Sequence, residues 1–140
     1  MSATAANPLL GVIEAFNDRD VERALSYIAE DCKVHEVPTG ERWSGQEGVR
    51  AEFERWSTAL PDGEQKVLNM ITTDGWVVVE GTLGGTHSGP FVTDDVTIEP
   101  TGKQMEFPFC TVARVEDGKE VETTHYYDLE TIMRQLEGKA

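Results

Sequence analysis

The feature that most limits what this chain can fold into is a change of hydrophobic period near residue 63. Before that point apolar residues recur at helical spacing. After it they fall in extended runs covering about 64 to 72, 76 to 87, 103 to 116 and 119 to 127. Asp74-Gly75 and Asp117-Gly118 stand between neighbouring runs, and Asp-Gly is a dipeptide that adopts the positive φ angles of a two-residue hairpin turn. Helices first and antiparallel strands afterwards define the α+β class, in which helices cover one face of the sheet.

The helical part has its own punctuation. Asn7 is placed to cap and Pro8 to open a helix carrying Leu9, Val12, Ile13 and Phe16 on one stripe. Asp20 caps a second, short helix with Val21, Ala24, Leu25 and Ile28 on its buried side. Cys32 to Val37 reads as a short strand stopped by Pro38-Thr39-Gly40. Ser44-Gly45-Gln46-Glu47 has the spacing of a capping box, followed by Val49, Phe53, Trp56 and Leu60 as one face of a third helix that Pro61-Asp62-Gly63 ends. Leu129, Ile132, Met133 and Leu136 form the stripe of a terminal helix. Ser88 to Gly102, with two prolines and Asp94-Asp95, reads as a long loop, with room for a short strand, at one mouth of the sheet. A bent sheet closed by helices is a cone whose interior suits one small apolar molecule.

Composition narrows the function classes. At 140 residues the chain is one domain, 1–140, and its 12 basic against 26 acidic residues give a formal charge of -14. A surface that acidic repels nucleic acid and anionic membrane faces. No apolar run approaches the roughly 20 residues a membrane helix needs, and Met1 to Ala6 carries no basic residue, so the expectation is a cytoplasmic protein. Cys32 and Cys110 read as reduced thiols, and histidines 35, 87 and 125 are too scattered for a metal site to be read from spacing. Gly81 to Gly89 lacks the Lys-Ser/Thr ending of a phosphate loop and is assigned to sheet bending.

Gly85-Thr86-His87-Ser88-Gly89, Pro100-Thr101-Gly102-Lys103, the Arg114 to Lys119 turn and Tyr126-Tyr127-Asp128 with Gln135-Leu136 resemble the SnoaL-like polyketide cyclase and ester cyclase family of the nuclear transport factor 2-like superfamily. The resemblance spans nearly the whole chain and implies the cone described above. It also implies a cofactor-free intramolecular aldol closure in which a buried aspartate moves a proton, and Asp128 matches that aspartate. A carboxyl reaches a working pKa by desolvation, for which Trp56, Phe107, Phe109 and Tyr126 are candidate walls. Asp128 also immediately precedes the terminal helix stripe, where an N-cap role would lower its pKa instead; the family resemblance favours the chemical reading.

His87, at a strand end among glycines, is the second catalytic candidate, as an orienting group or a proton donor to an oxyanion. Of His35 and Glu36, alternation lets only one face inward, and the pattern does not choose between them. His125, three residues before Asp128, is expected on the opposite face, pointing outward. The alternatives to a cyclase are a non-catalytic binder of an apolar ligand and a collapsed structural domain. Glu36-Val37-Pro38 and Tyr126-Tyr127-Asp128 also resemble limonene-epoxide hydrolases, but Glu80-Gly81-Thr82-Leu83 lacks the Arg and second Asp of that chemistry. The family likeness implies a homodimer, supported by Trp76 and Val78, whose alternation with Val77 and Val79 would leave apolar surface on the second sheet face.

Overall fold

The computed structural model describes residues 7–137, so the opening hexapeptide lies outside the described residues. Elements follow in the order α1 (Pro8–Asn17), α2 (Val21–Leu25), β1 (Ile28–Glu36), β2 (Glu41–Ser44), α3 (Glu47–Ala59), β3 (Glu64–Thr73), β4 (Trp76–Thr86), β5 (Phe91–Val92), β6 (Thr97–Ile98), β7 (Gln104–Glu116), β8 (Lys119–Tyr127) and α4 (Leu129–Glu137). The period change near residue 63 is therefore the boundary between the helical layer and the long strands.

Local chemistry accounts for most of these bounds. The Asn7 side chain accepts a hydrogen bond from the Leu10 amide at 3.1 Å, and Asp20 accepts from the Arg23 amide at 3.0 Å, so both expected caps form. Asp117 and Gly118 have φ of 53° and 73°, which makes the β7–β8 hairpin turn of the type with two left-handed residues. The expected capping box does not form. Ser44 ends β2, and Gln46 starts α3 without a side-chain cap, its amide instead donating to the Leu25 and Ile28 carbonyls.

Two strands differ from expectation. Ile28 begins β1 rather than closing the second helix, because the chain leaves α2 at Leu25 and at once pairs alongside β8. β2 has too few apolar residues to read as a strand; pairing to β1 holds it. The main sheet has the order β2-β1-β8-β7-β4-β3, antiparallel except for the parallel β1–β8 pair, and β5 and β6 form a separate small hairpin. Register shifts in β1, β3 and between β7 and β8 help bend the sheet.

The concave face holds the core. Phe16, Phe53, Trp56, Leu60, Leu83, Phe91, Phe107, Ile132 and Leu136 form its main cluster, with α1 and α3 laid across the strands. The α4 side chains Ile132 and Leu136 are fully enclosed there, each contributing about 1.5–3 kcal/mol by burial. Gln135 then ties α4 to β7 by bonding both backbone groups of Glu106, at 2.7 and 2.9 Å. Among the described residues, no helix is long and apolar enough to cross a membrane.

The glycines beyond β4 serve close approach as well as bending. A Cβ on Gly89 would stand 1.9 Å from the Thr58 carbonyl oxygen, a backbone atom that cannot swing aside. Gly89→Ala is therefore expected to destabilise the fold by about 1–3 kcal/mol through overpacking, read as a lower urea midpoint. An unchanged midpoint would show that the α3 terminus and this loop part freely.

Candidate functional site

A cavity of about 90 Å³ lies between the concave sheet face and helices α1 and α3. Its walls are mostly apolar: Leu9, Val12, Ile13 and Phe16 from α1, Val49, Phe53 and Trp56 from α3, and Leu83, Phe107 and Phe109 from the sheet. Besides the indole N–H of Trp56, seven lining residues bring polar side-chain atoms, namely Glu52, Gln65, Thr111, Glu120, Thr123, His125 and Tyr127.

Strand β8 supplies four of the seven, and its backbone explains how. Thr123, His125 and Tyr127 alternate inward, so Glu120 would ordinarily point out. The register with β7 slips between Arg114–Glu122 and Val115–Glu120, leaving Val121 as the extra residue of a bulge. That extra residue reverses the alternation. Glu120 thus faces the cavity with a side chain only 1% exposed, and its Oε1 accepts a bond from the Thr123 hydroxyl. Its Oε2 is buried without a partner. Burial pushes the Glu120 carboxyl up to about 7, with the Thr123 bond holding it back in part.

The other groups follow the same logic. His125 sits opposite Thr111 across the β7–β8 ladder, with its Nδ1 3.0 Å from the Thr111 hydroxyl. It lines the cavity, and burial drives its pKa down to about 4, so the ring is neutral at neutral pH. Glu52 lies on the apolar stripe of α3, with Oε1 unbonded and 3.7 Å from the Arg55 guanidinium. Desolvation lifts it to about 7 against the pull of Arg55 and of the Trp56 indole N–H, which donates toward the carboxyl.

Behind the cavity is a buried charge cluster. Arg55 grips Glu41 with two bonds of 2.7 and 2.9 Å and Glu36 with one of 2.9 Å, while its Nε donates to the Val92 carbonyl at 2.7 Å. Glu41 also accepts from the Asp94 amide at 3.2 Å, so the cluster holds the β5–β6 hairpin at its turn. Glu36 is fully buried and is raised to about 7, chiefly by desolvation, which outweighs Arg55. The Tyr127 hydroxyl, on the cavity side, donates to Glu36 Oε1. An arginine between carboxylates is thus present, but neither Glu36, Glu41 nor Arg55 lines the cavity.

The structure separates the sequence candidates. Trp56, Phe107 and Phe109 are cavity walls, as expected. Glu36 is the inward member of its pair, reaching the cavity only through Tyr127, while His35 lines a shallow groove on the outer face with Lys33 and Arg42. Tyr126, expected as a wall, is 46% exposed because the inward parity belongs to Tyr127. Asp128 stands outside the cavity. It is exposed and caps α4, accepting from the Thr131 hydroxyl at 3.0 Å and from the Glu130 and Thr131 amides, bonds that hold its pKa below the ordinary value. The N-cap reading is the one its surroundings support.

His87 is also elsewhere. It is fully buried, its Nδ1 accepts from the Thr101 amide at 3.1 Å, and its backbone pairs with Lys103 and Gly102, so it pins the returning end of the long loop. Burial lowers its pKa, offset in part by the Ile98 backbone. His125, expected outward by counting back from Asp128, faces in because the strand ends at Tyr127. The sequence reading does not single out Glu120 or Glu52. Glu52 was legible as an acid three residues after Val49 and four before Trp56 on one helical stripe; Glu120 carried no signal, since a bulge cannot be counted in advance.

Comparisons with known proteins agree with this architecture. The family model of SnoaL-like polyketide cyclases matches residues 9–136. A candidate SnoaL-like polyketide cyclase from Jannaschia superposes with a TM-score of 0.83 at 19% identity, covering 100% of this chain and 98% of that one. IdmH, a candidate polyketide cyclase from Streptomyces antibioticus, does so with a TM-score of 0.77 at 27% identity over 95% and 98% of the two chains. AclR, a candidate hydroxylase from Streptomyces galilaeus, gives 0.79 at 21% identity over 99% and 83%. These neighbours place the chain in the cone-shaped nuclear transport factor 2 and ketosteroid isomerase-like fold. No curated protein matches the chain significantly in sequence.

Glu120 gives a pH prediction with a definite sign. A carboxyl raised to about 7 in the fold and near 4.5 when unfolded contributes stability below the lower value, and that contribution is lost as pH rises through about 7. His125 and His87, depressed in the fold, act oppositely below about pH 6.5, so the comparison must isolate Glu120. Glu120→Gln is expected to gain stability relative to wild type, and to gain more at pH 8 than at pH 5, in urea midpoints. A difference that does not change with pH would mean that the carboxyl is hydrated.

Proposed function

The chain belongs to the SnoaL-like polyketide cyclase family, and we propose that it carries out cofactor-independent acid/base chemistry on a small carbonyl compound, with Glu120 moving the proton. The observation that carries this reading is the unbonded Glu120 Oε2 inside an apolar cavity, on a carboxyl lifted to about 7. A base that is half ionised at neutral pH both takes and returns a proton. The buried acid expected at Asp128, just past the end of β8, is on this reading supplied by Glu120 near the start of that strand.

Roles for the neighbours follow from their surroundings. Glu120 abstracts a proton α to the carbonyl, and the neutral His125 ring on the same wall is the group available to the developing enolate oxygen, the Tyr127 hydroxyl being engaged with Glu36. The proton returns from Glu120 to the new alkoxide when a second carbonyl is attacked within the same molecule, or to carbon in an isomerisation. No redox or group-transfer partner enters that balance. The volume sets the scale: about 90 Å³ equals roughly three waters. It encloses a short carbonyl fragment, whereas a fused polycycle needs lining side chains to move.

Proton abstraction is testable without the natural substrate. Hydrogen–deuterium exchange at the methyl carbons of acetone, a ketone short enough for this cavity, followed by NMR, is expected to be accelerated by the protein and to quicken as pH rises through about 7. Glu120→Gln is expected to slow the protein-catalysed part by about 10²–10⁴-fold, while Asp128→Asn leaves it within a few fold. Acceleration equal in wild type and Glu120→Gln would remove Glu120 from the mechanism. No acceleration by the wild type would favour a binding module over a catalyst.

The outer face of the sheet supports a homodimer as part of the same proposal. Ile71, Trp76, Val78, Val112 and Tyr126 crowd that face, Ile71 being 54% and Trp76 41% exposed. Pairing two such faces would bury them. Sedimentation at micromolar concentration is expected to give a dimer and Ile71→Lys with Val112→Lys a folded monomer; a monomeric wild type would end the idea.

A further inference from the structure

One side chain holds the Glu120 carboxyl. Its Oε1 accepts from the Thr123 hydroxyl, while its Oε2 is buried without a partner. The bulge that turns Glu120 inward also makes this contact. With Val121 as the extra residue, positions 120 and 123 come to the same face, where a regular strand would set them on opposite faces. The Glu120 backbone is tied down separately, its amide donating to the Tyr27 carbonyl at 2.9 Å. Thr123 is 3% exposed and stands between Val34 of β1 and Ala113 of β7. That packing and a branched Cβ leave its hydroxyl few directions.

The hydroxyl is committed both as donor and as acceptor. An ionised carboxylate has no proton to give, so the one Thr123 proton goes to Glu120. The Thr123 oxygen is then free to accept, and Cys32 Sγ lies 3.8 Å from it, as it does from the Lys33 carbonyl. Burial raises that thiol to about 11, so it keeps the proton such a bond needs.

We propose that Thr123 is the positioning residue of the Glu120 base: by occupying Oε1 it leaves Oε2 as the one oxygen that takes and returns the substrate proton. This deepens the reading of the cavity as a catalytic site and rests on it. In the forward step the Cα–H bond breaks, an O–H bond forms at Oε2, and the electron pair stays on the enolate. The same oxygen then gives the proton back. Thr123 keeps its own proton throughout, so it acts through the base. A carboxyl free to turn would divide its lone pairs between cavity and wall, and the bond removes that freedom before substrate arrives.

The surroundings assign the pH behaviour to this bond. The titratable side chains that share the cavity with Glu120 are Glu52 on α3 and His125 and Tyr127 on β8, with Cys32 of β1 behind Thr123. The Tyr27 ring lies toward Gly11 of α1. Strands β3, β4 and β7 and helix α1 line the cavity with apolar side chains, Gln65 and Thr111. The influences on the Glu120 carboxyl are burial, which raises it to about 7, and the Thr123 bond, which opposes the rise. A bond to the ionised form favours that form, so its removal moves the titration upward.

Two readouts separate positioning from packing: the titration of the Glu120 carboxyl by carbon-detected NMR, assigned with Glu120→Gln, and the pH profile of protein-catalysed acetone exchange. Thr123→Val, which keeps the branched shape, is expected to raise the midpoint by about one pH unit or more. The exchange profile is expected to move with it, and the rate on its alkaline plateau to fall about tenfold or more. Thr123→Ser, which keeps the hydroxyl, is expected to restore both; Thr123→Ala replaces the valine variant should that one not fold. A midpoint that stays in place without the hydroxyl, a plateau at or above the wild-type rate, or a serine variant that behaves like valine would each overturn the proposal. An unmoved midpoint beside a wild type that accelerates exchange leaves the catalytic reading standing without Thr123. A moved midpoint beside a wild type that does not accelerate it removes the catalytic reading, and the positioning role with it.

Discussion

Arg55 is the interaction on which the rest of the site depends. One guanidinium from α3 reaches Glu36 on β1, Glu41 on β2 and the Val92 carbonyl of the small hairpin. Through Glu36 it also positions the Tyr127 hydroxyl of β8. Four separate elements are thus tied to one side chain that is itself only 8% exposed. Desolvating a cation and two carboxylates is costly, and the geometry offsets it by a planar fork that matches Glu41 with two bonds. Removal of the arginine would strand two acids in the interior. The cluster is better seen as what specifies the arrangement at that end of the cone than as a source of net stability.

With that end fixed, the cavity's chemistry comes from imbalance. Arg55 faces three carboxyls, and Glu120 faces no cation at all. Desolvation then holds Glu36, Glu52 and Glu120 near neutrality. The protein thus confines three groups able to exchange protons at physiological pH within one apolar interior, where an isolated full charge would be intolerable. The acidic surface and the acidic interior have different causes: the first is hydrated charge, the second is charge suppressed by burial.

How much of this could be read from the sequence divides along a physical line. Signals that act through the backbone at short range were legible: Asn7 and Asp20 as caps, Asp117-Gly118 as a left-handed turn, the switch of period, and Trp56, Phe107 and Phe109 as walls. So was the class of fold. Signals that depend on which way a strand faces were not. Asp128 offers both an acid and a cap reading in the sequence, and its position outside the cavity and the inward face of His125 depend on where β8 ends, which counting along the chain does not give. Ser44 to Glu47 had the letters of a capping box, yet pairing with β1 claimed Ser44 for a strand. Glu120 needed knowledge of an extra residue that only three-dimensional pairing reveals.

The bulge at Val121 has a consequence for how such a site is inherited. Because side-chain direction along β8 is a matter of counting, the acid at 120 owes its place to chain length and not to its own identity. Loss of one residue there would swing the acid to the opposite face without altering any other side chain, and gain of one elsewhere on the strand would bring a former surface group inside. Lineages sharing this scaffold can therefore exchange their reactive group by an insertion or deletion of a single codon, a route that comparison of aligned columns would record as a gap and not as a change of chemistry.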